Sequence, residues 1–363
     1  MSWRCGIIGL PNAGKTTIFN ALTAGQAEVA SYPFSTISPN TGIVPIPDPR
    51  LTRLGELLKP QRLTPAAIEF VDVAGLIAGA SRGEGLGNQF LAAIREVDLL
   101  VHVVRCFGDT SCPHPLSKLD PVRDVEVVET ELILADLEIL ERQRVKTEKR
   151  AKAGDQAATP SLAALLRAES GLNRGQWVRD LGLGPGDLEH LKATPLLTLK
   201  PCLFVANLSE EELNGGPNYQ SLLQFTAGRG APVVPILGDL EAELQEFSPE
   251  DRGEFLAGLG LKEAGITRLI RESSRLLSLV TFYTIVGPEV RAWTVPAGTP
   301  APKAAGQVHS DMEKGFIRVE VMSFDDLARL GTPARVKETG RLHVEGRDYL
   351  VKDGEILLFR FQR

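Results

Sequence analysis

The chain has 363 residues, 43% of them hydrophobic, and a formal net charge of −6, enough length for two or three domains that each bury a core. No apolar stretch is long enough to span a bilayer, and the N-terminus enters a strand at once; neither a membrane span nor a signal peptide is expected, and a cytoplasmic location is. The acidic balance argues against wholesale coating of nucleic acid, although local basic patches can still dock on RNA. The four cysteines, Cys5, Cys106, Cys112 and Cys202, have no metal-type spacing and read as reduced thiols.

Cys5-Gly-Ile-Ile8 reads as a buried strand and Thr17-Ile-Phe-Asn-Ala-Leu-Thr23 as a helix. Between them, Gly9-Leu-Pro-Asn12-Ala13-Gly14-Lys15-Thr16 fits the pattern Gly, four residues, Gly-Lys-Ser/Thr, in the strand-to-helix context which that pattern requires. Glycines at both ends let the backbone wrap a triphosphate, so residues Asn12, Ala13, Gly14, Lys15, Thr16 and Thr17 are the expected nucleotide-binding set. Lys15 is expected to reach the β- and γ-phosphates and to serve catalysis, and the Thr16 hydroxyl to bind Mg²⁺.

Ser31 to Asn40 is a turn-rich loop with two prolines. Its position between the first helix and the next strand makes Thr36 a second candidate Mg²⁺ ligand, of the kind that closes on the metal and is released when the γ-phosphate leaves. Ile68-Glu-Phe-Val-Asp72-Val-Ala-Gly75 is a short strand ending in Asp-x-x-Gly. There the Asp72 carboxylate can hold an Mg²⁺-bound water and the Gly75 N–H can touch the γ-phosphate. Leu76 stands where Ras-like switch proteins carry the Gln that orients the attacking water, so another group must do that work. The glycine-rich run from Ala78 to Asn88 reads as a second switch.

Leu99 to Arg105 is another buried strand, in which His102 reads as a core histidine. His114 follows in a loop at the carboxyl end of that strand, the side on which α/β sheets bind ligands, and is a candidate catalytic group. From Val125 to Lys152 runs a long amphipathic helix whose tip, Glu141 to Lys152, carries six basic and two acidic side chains. A second helical pattern over Ser161 to Arg174 leads back, so an antiparallel helical arm is expected, with its tip open to RNA or partner docking.

Leu199 to Asn207 restores the sheet and ends in Asn207-Leu208-Ser209-Glu210, where guanine-reading switch proteins carry Asn-Lys-x-Asp. An Asn amide reads the amine and N7 of adenine with one donor and one acceptor, and a longer carboxylate arm that misses guanine forfeits its selectivity. Asn207, Leu208 and Glu210 are thus candidate base contacts, and ATP is expected over GTP. Pro232 to Leu237 reads as the last strand of this sheet, Gly238 opens a helix beside the base, and a helix over Ile266 to Leu279 closes the domain. From Thr281 onward the pattern turns to β, with Lys352-Asp353-Gly354-Glu355 reading as a hairpin turn between two strands.

With these residues in hand, the chain resembles the YchF subfamily of Obg-like ATPases. The likeness rests on the P-loop, Tyr32-Pro-Phe-Ser-Thr36-Ile-x-Pro-Asn, Asp72-Val-Ala-Gly-Leu, Gly83-Glu-Gly-Leu-Gly-Asn, His102-Val-Val-Arg-Cys-Phe and Asn207-Leu-Ser-Glu. Val290-Arg-Ala-Trp-Thr, Glu313-Lys-Gly-Phe-Ile-Arg and Asp348-Tyr-x-Val-Lys-Asp-Gly look like that family's C-terminal TGS domain. The resemblance implies an α/β P-loop NTPase domain over 1–280, a helical coiled-coil arm over 125–198 inserted within it, and a small β-grasp-like α+β TGS domain over 281–363. It further implies ATP preference, Mg²⁺ at Thr16 and Thr36, K⁺ near Asn12, help from His114 in hydrolysis, adenine contact at Asn207 and Leu208, and association with the ribosome. The reading is an ATP-hydrolysing switch. Its rivals are a GTPase of the same architecture and a nucleotide-gated ribosome- or RNA-binding adaptor in which hydrolysis is incidental.

Overall fold

The computed structural model describes residues 3–24, 40–73, 86–108, 112–244 and 247–362, so the expectations for Thr36, Gly75 and Leu76 lie outside the described residues. The chain divides into two compact units, one of Arg4–Gly42 with Phe70–Leu269 and the other of Met1–Trp3, Ile43–Glu69 and Ile270–Arg363.

In chain order the strands begin with β1 (Trp3–Ile8), β2 (Thr41–Pro45), β3 (Arg62–Thr64), β4 (Ala67–Asp72), β5 (Leu99–Arg105), β6 (Cys202–Asn207) and β7 (Val233–Ile236). All of these except β3 form a six-stranded sheet ordered β2-β4-β1-β5-β6-β7, and β1 to β5, β5 to β6 and β6 to β7 pair in parallel. Every residue of β5 and β6 is buried, as the continuous apolar runs of a parallel sheet covered on both faces require. The register sets Arg105 opposite Asn207 and Asn207 opposite Ile236, so three carboxyl ends meet on the edge where such sheets bind ligands.

His102 is 2% exposed within β5, and its ring lies 5.5 Å from that of Phe204. Burial first, and the charge of Lys15 second, push its pKa from 6.5 down to about 3. The unfolded chain therefore binds a proton that the folded chain refuses, and stability is lost as pH falls below the unfolded value. Between pH 7 and pH 5 this one group is expected to remove about 2 kcal/mol. Urea unfolding at both pH values checks it, since His102→Leu should lose correspondingly less stability over that interval than the wild type.

The arm consists of α4 and α5, which follow α1 (Lys15–Thr23), α2 (Pro49–Leu58) and α3 (Leu86–Arg95) in the chain. Helix α4 (Pro121–Lys152) starts with Pro121 in its first turn and with the Asp120 carboxylate accepting from the Arg123 N–H, a start signal that fits both residues. The chain turns at 153–157 and returns as α5 (Ala158–Leu172), which begins and ends slightly before the expected 161–174. Leu140 of α4 packs with Ala164, Leu165, Ala168 and Leu172 of α5, and Arg144 bridges Glu148 and Glu169 across the pair. At the root, the fully buried Asp136 accepts from the N–H groups of Leu197 and Thr198 and from the Thr198 hydroxyl. At the tip, Arg142, Arg144 and Arg150 are engaged by carboxylates. Among the described residues Lys146, Lys149 and Lys152 have no such partner.

In the other unit, β8 (Leu279–Val286), β9 (Glu289–Pro296), β10 (Phe316–Ser323), β11 (His343–Glu345) and β12 (Glu355–Phe361) join β3 in a sheet ordered β11-β10-β12-β8-β9-β3. Successive side chains face opposite ways. Phe282, Val319, Leu357 and Phe359 pack on Ala301, Ala304 and Ala305, whereas Tyr283, Met322 and Ile356 pack with Leu51 and Leu54 of α2 and with Leu327 and Val336. Between β2 and β4, α2 and β3, which the sequence reading leaves in the nucleotide domain, group with this unit. The reason is local: β3 pairs in parallel with β9, and Asp48, which caps α2, also accepts from the Tyr283 hydroxyl. Arg50 of α2 holds Asp353 at 2.6 Å.

Lys352 to Glu355 is not the turn of a two-stranded hairpin, because the preceding strand, β11, ends at Glu345 and pairs with β10, while β12 pairs with β10 and β8. Side chains explain the difference. Asp353 accepts from the Thr281 N–H, and Glu355 from the Lys352 N–H and the Tyr349 hydroxyl. The backbone at Tyr349 and Val351 bonds to Ala301 and Thr299, so 346–351 has partners other than β12.

Candidate nucleotide site

The P-loop leaves β1 through Gly9 at φ 147°, passes Asn12 at φ 63° and enters α1 through Gly14 at φ 91°. A side chain would not fit at either glycine. A Cβ on Gly9 would lie 2.4 Å from the Val103 carbonyl oxygen, and one on Gly14 would lie 2.1 Å from Asn207 Nδ2. Helix α1 begins at Lys15, earlier than the Thr17 start expected, with Ile18 N–H donating to Gly14 O.

Lys15 is 7% exposed and its Nζ donates to the Leu10 carbonyl at 2.8 Å. Burial lowers its pKa, opposed by the charge of Asp72. The Thr16 hydroxyl donates to Asp72 Oδ2 at 3.0 Å, and burial lifts the Asp72 carboxyl above its ordinary range against the pull of that bond and of Lys15. One hydroxyl and one carboxylate side by side form a hard-oxygen pair that suits Mg²⁺, an ion that keeps several waters and takes phosphate oxygens. Among the described residues no cluster of three or more His, Cys, Asp or Glu stands ready for a metal.

A cavity of about 560 Å³ opens over this loop, of a size that suits a small-molecule ligand. Asn12, Gly14, Lys15, Thr16 and Thr17 line it together with Phe107, Gly108 and Cys112 beyond β5, Leu208 and Ser209 beyond β6, and Gly238 and Asp239 beyond β7, with Asn207 at the end of β6. Asn207 ties the wall together. Its Nδ2 donates to Ala13 O at 3.1 Å, and its Oδ1 accepts from Gly238 N–H at 3.2 Å. Ala13 is therefore buried behind the loop, with its carbonyl engaged. The Leu208 N–H donates to Ile236 O at 2.8 Å, which fixes the next residue of the wall.

Two sequence expectations meet a different geometry. Glu210 is exposed at the start of a short helix and does not line the cavity; Ser209 does. His114 does not line it either, because the first turn of α4 takes its ring. Leu116 N–H donates to His114 Nδ1 at 3.2 Å, so the proton sits on Nε2, which donates to Asp124 Oδ2 at 2.7 Å. Its backbone neighbour Pro113 is tied to the P-loop, its carbonyl accepting from Asn12 Nδ2 at 3.0 Å. Phe107, Gly108 and Cys112 were missed by motif reading; their place just after the carboxyl end of a central strand is the signal that finds them.

Among the described residues no helix is long and apolar enough to cross a membrane. Residues 4–143 match the family described as 50S ribosome-binding GTPase, and residues 279–362 match the YchF-GTPase C-terminal family, described as a protein of unknown function. The chain is 47% identical over 361 residues to the ribosome-binding ATPase YchF of Haemophilus influenzae, covering 99% of each chain. It is 43% identical over 364 residues to the protein of the same name from Bacillus subtilis, covering 99% of this chain and 100% of that one. The solved structure of the Schizosaccharomyces pombe YchF GTPase superposes with a TM-score of 0.90 at 31% identity, over 99% of this chain and 98% of that one. Matched from end to end in sequence and in fold, the chain belongs to the YchF family.

Proposed function

We propose that the protein is a cytoplasmic ATP-binding switch that slowly hydrolyses ATP and associates with the ribosome. The observation that carries this reading is the cavity over the P-loop that Lys15 and Thr16 line, with Asp72 bonded to Thr16 behind it; the ATPase and ribosome-binding names belong to the relatives. Lys15, now bonded to a backbone carbonyl, would exchange that partner for β- and γ-phosphate oxygens. Thr16, with Asp72 through a water and with Thr36, would hold Mg²⁺, which when bound neutralises charge on the β- and γ-phosphates. The Gly75 N–H would meet the γ-phosphate. Water attacks that phosphorus, the bond to the β-phosphate oxygen breaks, and ADP leaves. His114 would have to give up Asp124 and Leu116 to help, whereas the Asn12 amide oxygen, beside the nitrogen that holds Pro113, would receive K⁺. Lys146, Lys149 and Lys152 at the arm tip and the TGS domain are the surfaces proposed to contact RNA of the ribosome.

A GTPase of the same architecture is the second reading, favoured by the description of the matched 4–143 family and by the name of the fission-yeast relative. Co-sedimentation with purified ribosomes in ATP, ADP or GTP tests the proposal. Pelleting that responds to ATP and not to GTP supports it, a response to GTP alone supports the second reading, and no pelleting in any nucleotide contradicts both.

A further inference from the structure

The cavity wall contains a carboxylate for which nucleotide hydrolysis has no use. Asp239 lines the cavity beside Gly238, and among the described residues its side chain has no hydrogen bond or ion pair to occupy it. Its position relative to Asn207 gives it meaning. Asn207 spends one N–H on Ala13 and one lone pair on Gly238, and keeps one donor, which fits the N7 that both purines offer, and one acceptor. Gly238 N lies 3.2 Å from Asn207 Oδ1, so the residue that follows it stands next to whatever Asn207 reads.

On that edge the two purines share N7 and differ at the 6-position, which is an amine donor in adenine and a carbonyl acceptor in guanine. An ionised carboxylate only accepts. It bonds the amine and repels the carbonyl, and discrimination of this kind is strong because the wrong ligand leaves a polar group unpaired. We propose that Asp239 is a specificity-determining residue that reads the purine 6-position and selects 6-amino over 6-oxo nucleoside triphosphates. This rests on the P-loop cavity being the nucleotide site, and it moves discrimination away from Glu210, which does not line the cavity.

The test is equilibrium titration of the full chain with ATP, GTP and ITP. ITP shares the 6-oxo group of guanine and lacks its 2-amino group, which separates the 6-position from anything read at the 2-position. The wild type is expected to bind ATP more tightly than ITP and GTP by similar factors. Asp239→Asn, whose amide donates to a 6-oxo group, should lower the ATP-to-ITP affinity ratio about tenfold. Asp239 is exposed, so the variant should fold as the wild type does. An unchanged ratio overturns the proposal, as does an equal loss for all three ligands, which would put Asp239 on the ribose or the phosphates. ATP bound no better than ITP by the wild type also overturns it while leaving the site intact. Failure to bind any of the three removes the site and the proposal together.

Discussion

Lys15→Ala is expected to abolish ATP hydrolysis and to weaken triphosphate binding by roughly 10²–10⁴-fold, the effect of leaving a buried anion without its paired cation, about 3–5 kcal/mol. In the structure Lys15 is 7% exposed, and its ammonium already sits at the mouth of the P-loop, bonded to Leu10 O. That carbonyl is a placeholder: it satisfies one proton of a group that has three to give. Truncation deletes the cation and leaves the Leu10 carbonyl with only the longer bond from the Ala13 N–H at 3.4 Å, so folding should suffer modestly while affinity collapses. Titration with a fluorescent ATP analogue and a phosphate-release assay check both parts. Turnover at the wild-type rate would sink the P-loop account.

Asn207→Ala is expected to lose both stability and affinity, because the side chain it deletes is what ties the P-loop to the exit of β7. Ala13 O would lose its donor and Gly238 N–H its acceptor, both in a buried wall. Two orphaned groups at about 1–3 kcal/mol each predict a loss on the order of 2–6 kcal/mol. Asn207→Asp sharpens the comparison. The carboxylate still accepts from Gly238 but faces the Ala13 carbonyl with an oxygen in place of an N–H donor, so it should bind nucleotide worse than its near-identical shape suggests. Urea unfolding with parallel ATP titration measures the pair; wild-type stability in both variants would show that Asn207 is not the tie.

What was legible beforehand follows from how local the signals are. The strand, glycine turn and helix around Gly9 to Thr16 announce themselves over a few consecutive residues, since positive φ, a lone Lys and a hydroxyl are each demanded by one backbone path. The buried strands β5 and β6 are equally visible as largely apolar runs. Nothing in Arg62-Leu-Thr64 says that this short strand pairs with β9 in another part of the chain; that choice is made by long-range partners. His114 and Glu210 show the same limit from the side-chain end. Their positions beside the expected motifs were readable, but which way each turns depends on Asp124 in one case and on exposure at a helix start in the other. Gly238 was in view as the start of a helix beside the base, and the use of its neighbour Asp239 follows only from the distance between Gly238 and Asn207.

The central claim, that Lys15, Thr16 and Asp72 form an Mg²⁺-dependent ATP-hydrolysing site, is tested most directly by single-turnover phosphate release from ATP by the full chain, with Mg²⁺ and with the metal chelated. Slow release that requires Mg²⁺ and disappears in Lys15→Ala is the predicted result. Release that is indifferent to Mg²⁺ and to Lys15, or no release although ATP is bound, would contradict it.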